Sequence, residues 1–310
     1  MILSVSRRTD IPAFYSEWFY NRVKEGYVYV RNPMNIHQVS KIPINPDCID
    51  CIVFWTKNPK SMMSRLDELE NFQYYFQFTI NPYDDLLERK VPRKNSIIET
   101  FKELSDRIGS NRVVWRYDPI LMSQNIDTDY HKRYFEELSR RLSSYTKKCV
   151  ISFIDNYAKT ERNLKETTAR ELFENEILCV GQHIAEVAKS YGIEIQTCAE
   201  EYDLRTFGIK QGKCIDDHIV EDIVGYKIPS KKDKNQRKEC GCIESIDIGE
   251  YNTCPHNCLY CYANFNKNEV IKKKGEHNPL SPLLIGNITE KDVIKDREVR
   301  SFKPQGLFKK

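Results

Sequence analysis

Three cysteines stand close together late in this 310-residue chain, as Cys254-Pro-His-Asn-Cys258-Leu-Tyr-Cys261. Thiolates are the preferred ligands of iron–sulfur clusters. Three in one short loop can hold three corners of a [4Fe-4S] cubane and leave its fourth iron open to another ligand. The alternative chemistry is a structural zinc ion, which closes with four ligands. Tyr260, Tyr262 and Asn264 lie within or just after the loop and can line the same cofactor cavity, whereas His256, between two ligands, need not face the metal. Four further cysteines, Cys198, Cys214, Cys240 and Cys242, match the ligand count of a second, closed site, either an auxiliary [4Fe-4S] cluster or zinc. Their plain alternative is a set of unliganded thiols, because long gaps separate three of them.

Polar residues gather where apolar runs end. Arg7, Arg8 and Asp10 follow the first run, Lys57 and Asn58 the third, Arg116 and Asp118 the fifth, and Glu200 the seventh. A guanidinium at such a point can bind a carboxylate or phosphate with two prongs, and a carboxylate can hold hydroxyls or an amine. Arg116, Asp118, Arg7 and Asp10 are therefore candidate catalytic or substrate groups, and Lys57 and Asn58 candidate cofactor contacts. The same residues also suit internal ion pairs that neutralise a polar cleft. Cys48 and Cys51 have C-x-x-C spacing but open an apolar strand, where small buried thiols are the natural reading. The phosphate-cradling, dinucleotide, zincin and nucleophile-elbow motifs are missing from the sequence, so chemistry rests on the cysteines.

The elements that must position these groups read as alternating strands and helices. Strands are expected at 2–6, 27–30, 51–55, 74–80, 112–117, 149–153, 193–197 and, more weakly, 244–248. Helices are expected at 59–69, 95–108, 130–142 and 171–191. That order predicts an α/β fold, a β/α barrel of the TIM type, full or partial, with a C-terminal cysteine-rich iron–sulfur segment. The expected division is a barrel body over 1–228, a charged linker or loop over 229–239, and a cluster-binding segment with a tail packed on the barrel over 240–310. A strand at 244–248 beside 2–6 would bring the late cysteine loop to the barrel mouth. The net charge of +3 gives no support to a nucleic-acid partner, and no apolar run is long enough to span a bilayer. With no secretory signal at the first residues, a cytoplasmic protein is expected, where clustered thiols mean metal or redox chemistry more often than disulfides.

The C-x3-C-x2-C loop with Tyr260 before its last cysteine resembles the signature loop of the radical S-adenosylmethionine (SAM) superfamily. The segments 4–13, 54–59, 115–120 and 247–264 resemble a family known as domain of unknown function 1848 over nearly the whole chain. Arg116-Tyr-Asp-Pro-Ile is also similar to a short segment of spore photoproduct lyase. The superfamily's loop usually lies near the N-terminus, so the resemblance implies a permuted barrel. It further implies a [4Fe-4S] cluster on Cys254, Cys258 and Cys261, SAM on the open iron with Tyr260 near its adenine, reductive SAM cleavage, hydrogen abstraction from an unnamed substrate, and an electron donor such as flavodoxin or ferredoxin. The superfamily's glycine-rich segment after the second barrel strand is not evident in this chain. A zinc-binding or nucleic-acid-binding protein without radical chemistry, or an iron–sulfur enzyme independent of SAM, stands as the other reading.

Overall fold

The computed structural model describes residues 1–155, 162–229 and 231–304. Its strands are β1 (Ile2–Val5), β2 (Tyr27–Asn32), β3 (Asn35–Pro43), β4 (Cys51–Thr56), β5 (Tyr74–Thr79), β6 (Val113–Ile120), β7 (Lys148–Phe153), β8 (Glu194–Thr197), β9 (Lys210–Gln211), β10 (Ile246–Asp247) and β11 (Val293–Asp296). The helices are α1 (Ile11–Phe14), α2 (Ser16–Glu25), α3 (Lys60–Met63), α4 (Lys94–Ile108), α5 (Thr128–Leu142), α6 (Glu174–Ser190), α7 (Asp217–Val224) and α8 (Lys267–Glu276). Eight strands form one parallel sheet in the order β10-β1-β4-β5-β6-β7-β8-β9.

The central strands are buried on both faces, which is why they read as unbroken apolar runs such as Cys51-Ile-Val-Phe and not as an alternation. One face, carrying Leu3, Ile52, Phe54, Phe76, Phe78 and Trp115, packs on the helices through Trp18, Phe101, Phe135 and Ile184. Trp115 stacks on Phe135 with centroids 5.1 Å apart, and Phe78 meets Phe101 at 5.0 Å. Each such ring contributes roughly 2–3 kcal/mol by leaving water. The opposite face carries Ile2, Val53, Tyr75, Val114 and Val150. It is covered by the segment that runs from Cys214 through α7 to Ile243. Tyr75 donates to the Cys214 carbonyl at 2.8 Å and Lys148 pairs with Asp216 at 3.0 Å, which pins that segment across the sheet.

The parallel α/β class matches the sequence reading; ring closure does not. Among the described residues β9 and β10 are edge strands with no hydrogen bonds to each other. The chain around Cys240–Ile243 lies between them instead. Gln211 Nε2 donates to the Glu239 carbonyl at 3.0 Å, and Ile243 N to the Ile215 carbonyl at 3.2 Å. Tyr27–Val30 is not a member of the main sheet either. It forms β2 of a separate sheet in the order β11-β3-β2, because a tight turn sends β3 back antiparallel beside it. The expected helix over 59–69 is α3 followed by a 3₁₀ turn, Leu66–Leu69.

The charged stretch over 229–239 folds back on the cysteine segment: Asp233 N donates to the Cys242 carbonyl at 2.9 Å and Glu244 N to the Lys231 carbonyl at 2.9 Å. Within the tail, β11 lies parallel to β3. Among the described residues no helix is long and apolar enough to cross a membrane. Asn156 and Tyr157, the polar residues that follow the apolar run at 149–153, lie outside the described residues.

Candidate metal centre

The late loop reaches the C-terminal ends of the parallel strands because β10 pairs in parallel with β1, Leu3 opposite Ile246 and Ser4 opposite Asp247. Asp247 ties the two strand ends together. Its carboxylate accepts from Ser4 Oγ at 2.8 Å, Ser6 Oγ at 2.6 Å, Arg7 N at 2.8 Å and Gly249 N at 3.0 Å. The approach is so close that a Cβ on Gly249 would sit 1.9 Å from Ser6 Oγ and 2.5 Å from Ser6 Cβ.

Beyond Gly249 the loop is fixed at several points. Tyr15 OH donates to the Thr253 carbonyl at 2.5 Å, Asn252 Oδ1 accepts from Phe265 N at 2.8 Å, and Asn264 Nδ2 donates to the Cys254 carbonyl at 2.5 Å. Leu259 N donates to the Leu87 carbonyl at 2.9 Å and Lys90 N to the His256 carbonyl at 3.0 Å. The three cysteines this scaffold carries are near enough to influence one another electrostatically. Burial pushes all three thiols up, while Lys57 favours the thiolates of Cys258 and Cys261, and Lys94 adds to it at Cys258.

The centre of the loop's support is Glu88. Its carboxylate accepts from Lys57 Nζ at 2.8 Å and contacts Lys94 Nζ and Tyr260 OH, all in a buried setting. Burial opposes its charge, yet the two lysines hold its pKa down at about 2. Sequence reasoning missed Glu88, because a single carboxylate in the irregular stretch after Asn81-Pro82 has no motif around it.

The other expected residues fall into distinct positions. Tyr260 is buried with its hydroxyl on Glu88 and its ring under Lys57 at 5.4 Å, so it pins the loop and does not present a stacking face. Tyr262 is half exposed, with its hydroxyl on the Arg7 carbonyl at 2.8 Å. Asp10 is fully engaged: it caps α1 through Ala13 N at 3.0 Å, accepts from Lys57 N at 2.7 Å, and meets His256 Nε2 at 3.0 Å. That contact turns His256 toward Asp10. Asn58 accepts from Lys60 N at 3.4 Å at the start of α3.

Arg116 and Asp118 pair directly at the end of β6, Nε to Oδ2 at 3.0 Å, and Ser152 also contacts Asp118. The free prong of Arg116, Nη1, points at Cys214 Sγ at 2.7 Å. Cys198 and Cys214 have their sulfurs 2.9 Å apart, and Cys242 is in hydrogen-bonding contact with Cys214 and Cys240. Among the described residues, no group of three or more His, Cys, Asp or Glu side chains, in either cysteine set, is placed so as to hold a metal ion. Glu200 accepts from Phe153 N at 2.8 Å, and burial pushes its pKa up to about 8.

Arg7 lies between the two cysteine sets, its guanidinium by Ser245 Oγ at 3.2 Å and Asp233 at 3.5 Å, within electrostatic reach of Cys242. Arg7 Nη1, Thr9 Oγ1 and Asn264 Oδ1 are buried with no partner among the described residues. A pocket of about 250 Å³ opens beside the loop, lined by Arg8, Tyr251, Phe265 and Lys273. A cavity of about 510 Å³ lies at the opposite ends of the strands, by Val113, Lys148, Glu194 and Lys210, and holds no cysteine.

A family model described as Domain of unknown function (DUF1848) matches residues 2–263. Among proteins of curated function none matches this chain. Among solved structures, a "putative alpha-L-fucosidase" from Bacteroides thetaiotaomicron VPI-5482 is 11% identical, covering 74% of this chain and 83% of that one. Its TM-score is 0.25, too low to carry an argument.

Proposed function

The chain belongs to the DUF1848 family, whose description names no activity, and we propose that it is a radical SAM enzyme. It binds a [4Fe-4S] cluster through Cys254, Cys258 and Cys261, and SAM at the iron those thiolates leave open. The observation that carries this reading is the parallel pairing of β10 with β1. It delivers the loop carrying Cys254, Cys258 and Cys261 to the C-terminal ends of the parallel strands, where β/α enzymes keep their chemistry. On this reading the eight strands are a permuted partial barrel, with the ligand loop following a strand that is first in space and late in sequence. The short likeness of residues 116–120 to spore photoproduct lyase assigns no substrate, since Arg116 and Asp118 are occupied with each other.

The donor set fits the group. Three cysteines of one loop supply soft ligands. The backbone N–H groups of Ala263 and Asn264 point at the Cys261 sulfur, and Lys57 and Lys94 face Cys258. Ligands must be deprotonated to bind, and these donors and cations favour the charged sulfur that burial alone disfavours. The unpartnered Asn264 Oδ1 and Arg7 Nη1 are polar groups suited to the amino and carboxylate ends of an amino-acid-like cofactor. The cluster, when bound, supplies one electron to split a sulfur–carbon bond of SAM and so generate a carbon radical that takes hydrogen from substrate. The chain's own part is to hold SAM against the loop and keep water out with the apolar residues packed around Cys258, such as Leu87, Leu121 and Leu259. Flavodoxin or ferredoxin is the class of donor such chemistry needs.

The experiment is anaerobic reconstitution of the full chain followed by incubation with SAM and dithionite. The expected result is about four irons on the loop, release of 5′-deoxyadenosine and methionine, and loss of both in Cys258→Ala. Zinc on these three cysteines, or iron-loaded protein that leaves SAM intact, overturns the reading.

A further inference from the structure

Away from the ligand loop, Cys198, Cys214, Cys240 and Cys242 come from three separate stretches of chain and meet between the sheet's two edges. We propose that these four thiols bind a single thiophilic divalent ion such as zinc in a closed site, and that this ion staples the β9 edge to the β10 edge where the hydrogen-bond ladder is missing.

Each stretch is held in place. Cys198 leaves β8 with its N–H on the Ile151 carbonyl at 2.9 Å, and Gly212 N donates to the Thr197 carbonyl at 2.8 Å. A Cβ on Gly212 would meet Gln196 Cβ at 2.6 Å and the Thr197 carbonyl at 2.8 Å. One on Gly241 would meet Lys213 Cγ at 3.0 Å and the Gly212 carbonyl at 3.2 Å. Gly212 is therefore required for the backbones to converge on the sulfurs, and Gly241 leaves a Cβ only a tight fit.

The sulfurs of Cys198 and Cys214 are 2.9 Å apart, and Cys242 is within electrostatic reach of Cys198 and Cys240. Thiols buried merely as small apolar groups need no cations, yet here Arg116 Nη1 donates to Cys214 Sγ at 2.7 Å and Arg7 faces Cys242. Ile215 N also points at Cys242 Sγ, at 3.4 Å. Arg116 and Arg7, although each also faces carboxylates, offset part of the negative charge that four thiolates around one divalent ion carry. Tetrahedral ligands about 2.3 Å from zinc stand roughly 3.8 Å from one another. The Cys198–Cys214 pair, at 2.9 Å, needs to open by only about an ångström to reach that spacing, much less than two corners of a cubane demand.

This centre is independent of the loop's cluster, and the two metals report on them separately. Metal analysis of the full chain purified anaerobically is expected to give one zinc per chain, retained in Cys258→Ala and in Cys48→Ser and lost in Cys214→Ser and Cys242→Ser. Because those last variants can fail to fold, cobalt exchange into the wild-type chain supplies a second readout, the visible bands of a tetrahedral thiolate site. Chelation of that ion is expected to lower the thermal midpoint while the loop's iron stays bound. Wild-type chain that holds no zinc and takes up no cobalt overturns the proposal. So does a second set of irons that disappears with Cys214→Ser.

Discussion

The two cysteine sets differ in how the chain delivers them. Cys254, Cys258 and Cys261 sit on one loop, steered by a strand end and clamped by Glu88 with its lysines. Cys198, Cys214, Cys240 and Cys242 arrive from three stretches and are brought together only by the folded sheet. A loop that carries its own ligands can keep a coordination position open, because nothing else converges on it. A set gathered from several segments surrounds its centre and closes it. The companion charges differ in kind as well: lysines at the loop, arginines at the gathered set. A lysine is a compact charge and an arginine a rigid fork that also fixes geometry.

The sharpest way to break this contrast is to exchange the losses. Cys258→Ala is expected to abolish SAM cleavage, by more than about 100-fold, with zinc content unchanged. Cleavage assays and metal analysis on one preparation check both, and joint loss of zinc and iron would show the two sets to be one site. Next in size is the clamp. Glu88→Gln leaves the half-buried Lys57 and Lys94 without their counter-charge, and breaking a pair at a buried carboxylate costs up to about 3–5 kcal/mol. Urea unfolding measures it.

A pH series separates the clamp from the rest of the fold. His131 is buried, with Tyr117 OH on Nδ1 at 2.7 Å and Nε2 on the Leu121 carbonyl at 2.8 Å, and burial lowers its pKa from 6.5 to about 4. Because the folded pKa lies below the unfolded one, its contribution is complete above pH 6.5 and lost as pH falls through 4. That amounts to roughly 3 kcal/mol. Glu88, lowered from 4.5 to about 2, adds a second loss in the window from 4.5 down to 2. Unfolding midpoints for His131→Gln should be flat across the first window and keep the second. The smallest effect is Gly249→Ala, which forces a methyl against Ser6 and costs about 1–3 kcal/mol. If the loop's seat depends on that approach, iron binding weakens while zinc content holds.

The central strands were legible because burial on both faces leaves uninterrupted apolar runs at 51–55, 74–80 and 149–153. The exits after 51–55, 74–80 and 112–117 carry the steps Asn58-Pro59, Asn81-Pro82 and Asp118-Pro119. β3 was not, since its first half, Asn35-Ile-His-Gln, is polar and largely exposed. β9 was not, because two exposed residues carry no periodic signal. The cysteines named the candidate site, but the roles of Asp10 and Tyr260 could not be read from spacing. Both are absorbed by partners far away in sequence, His256 for one and Glu88 for the other. Their residue types suggested contact with a ligand; the fold uses them to hold the loop.

The pairing of Leu3 with Ile246 has a temporal side. A ribosome releases β1 more than two hundred residues before its outer neighbour exists, so the nascent sheet carries a bare edge for most of synthesis. Contacts this distant in sequence form slowly. The loop reaches its seat only when that edge is filled, so a partly made chain does not hold Cys254, Cys258 and Cys261 in their final setting.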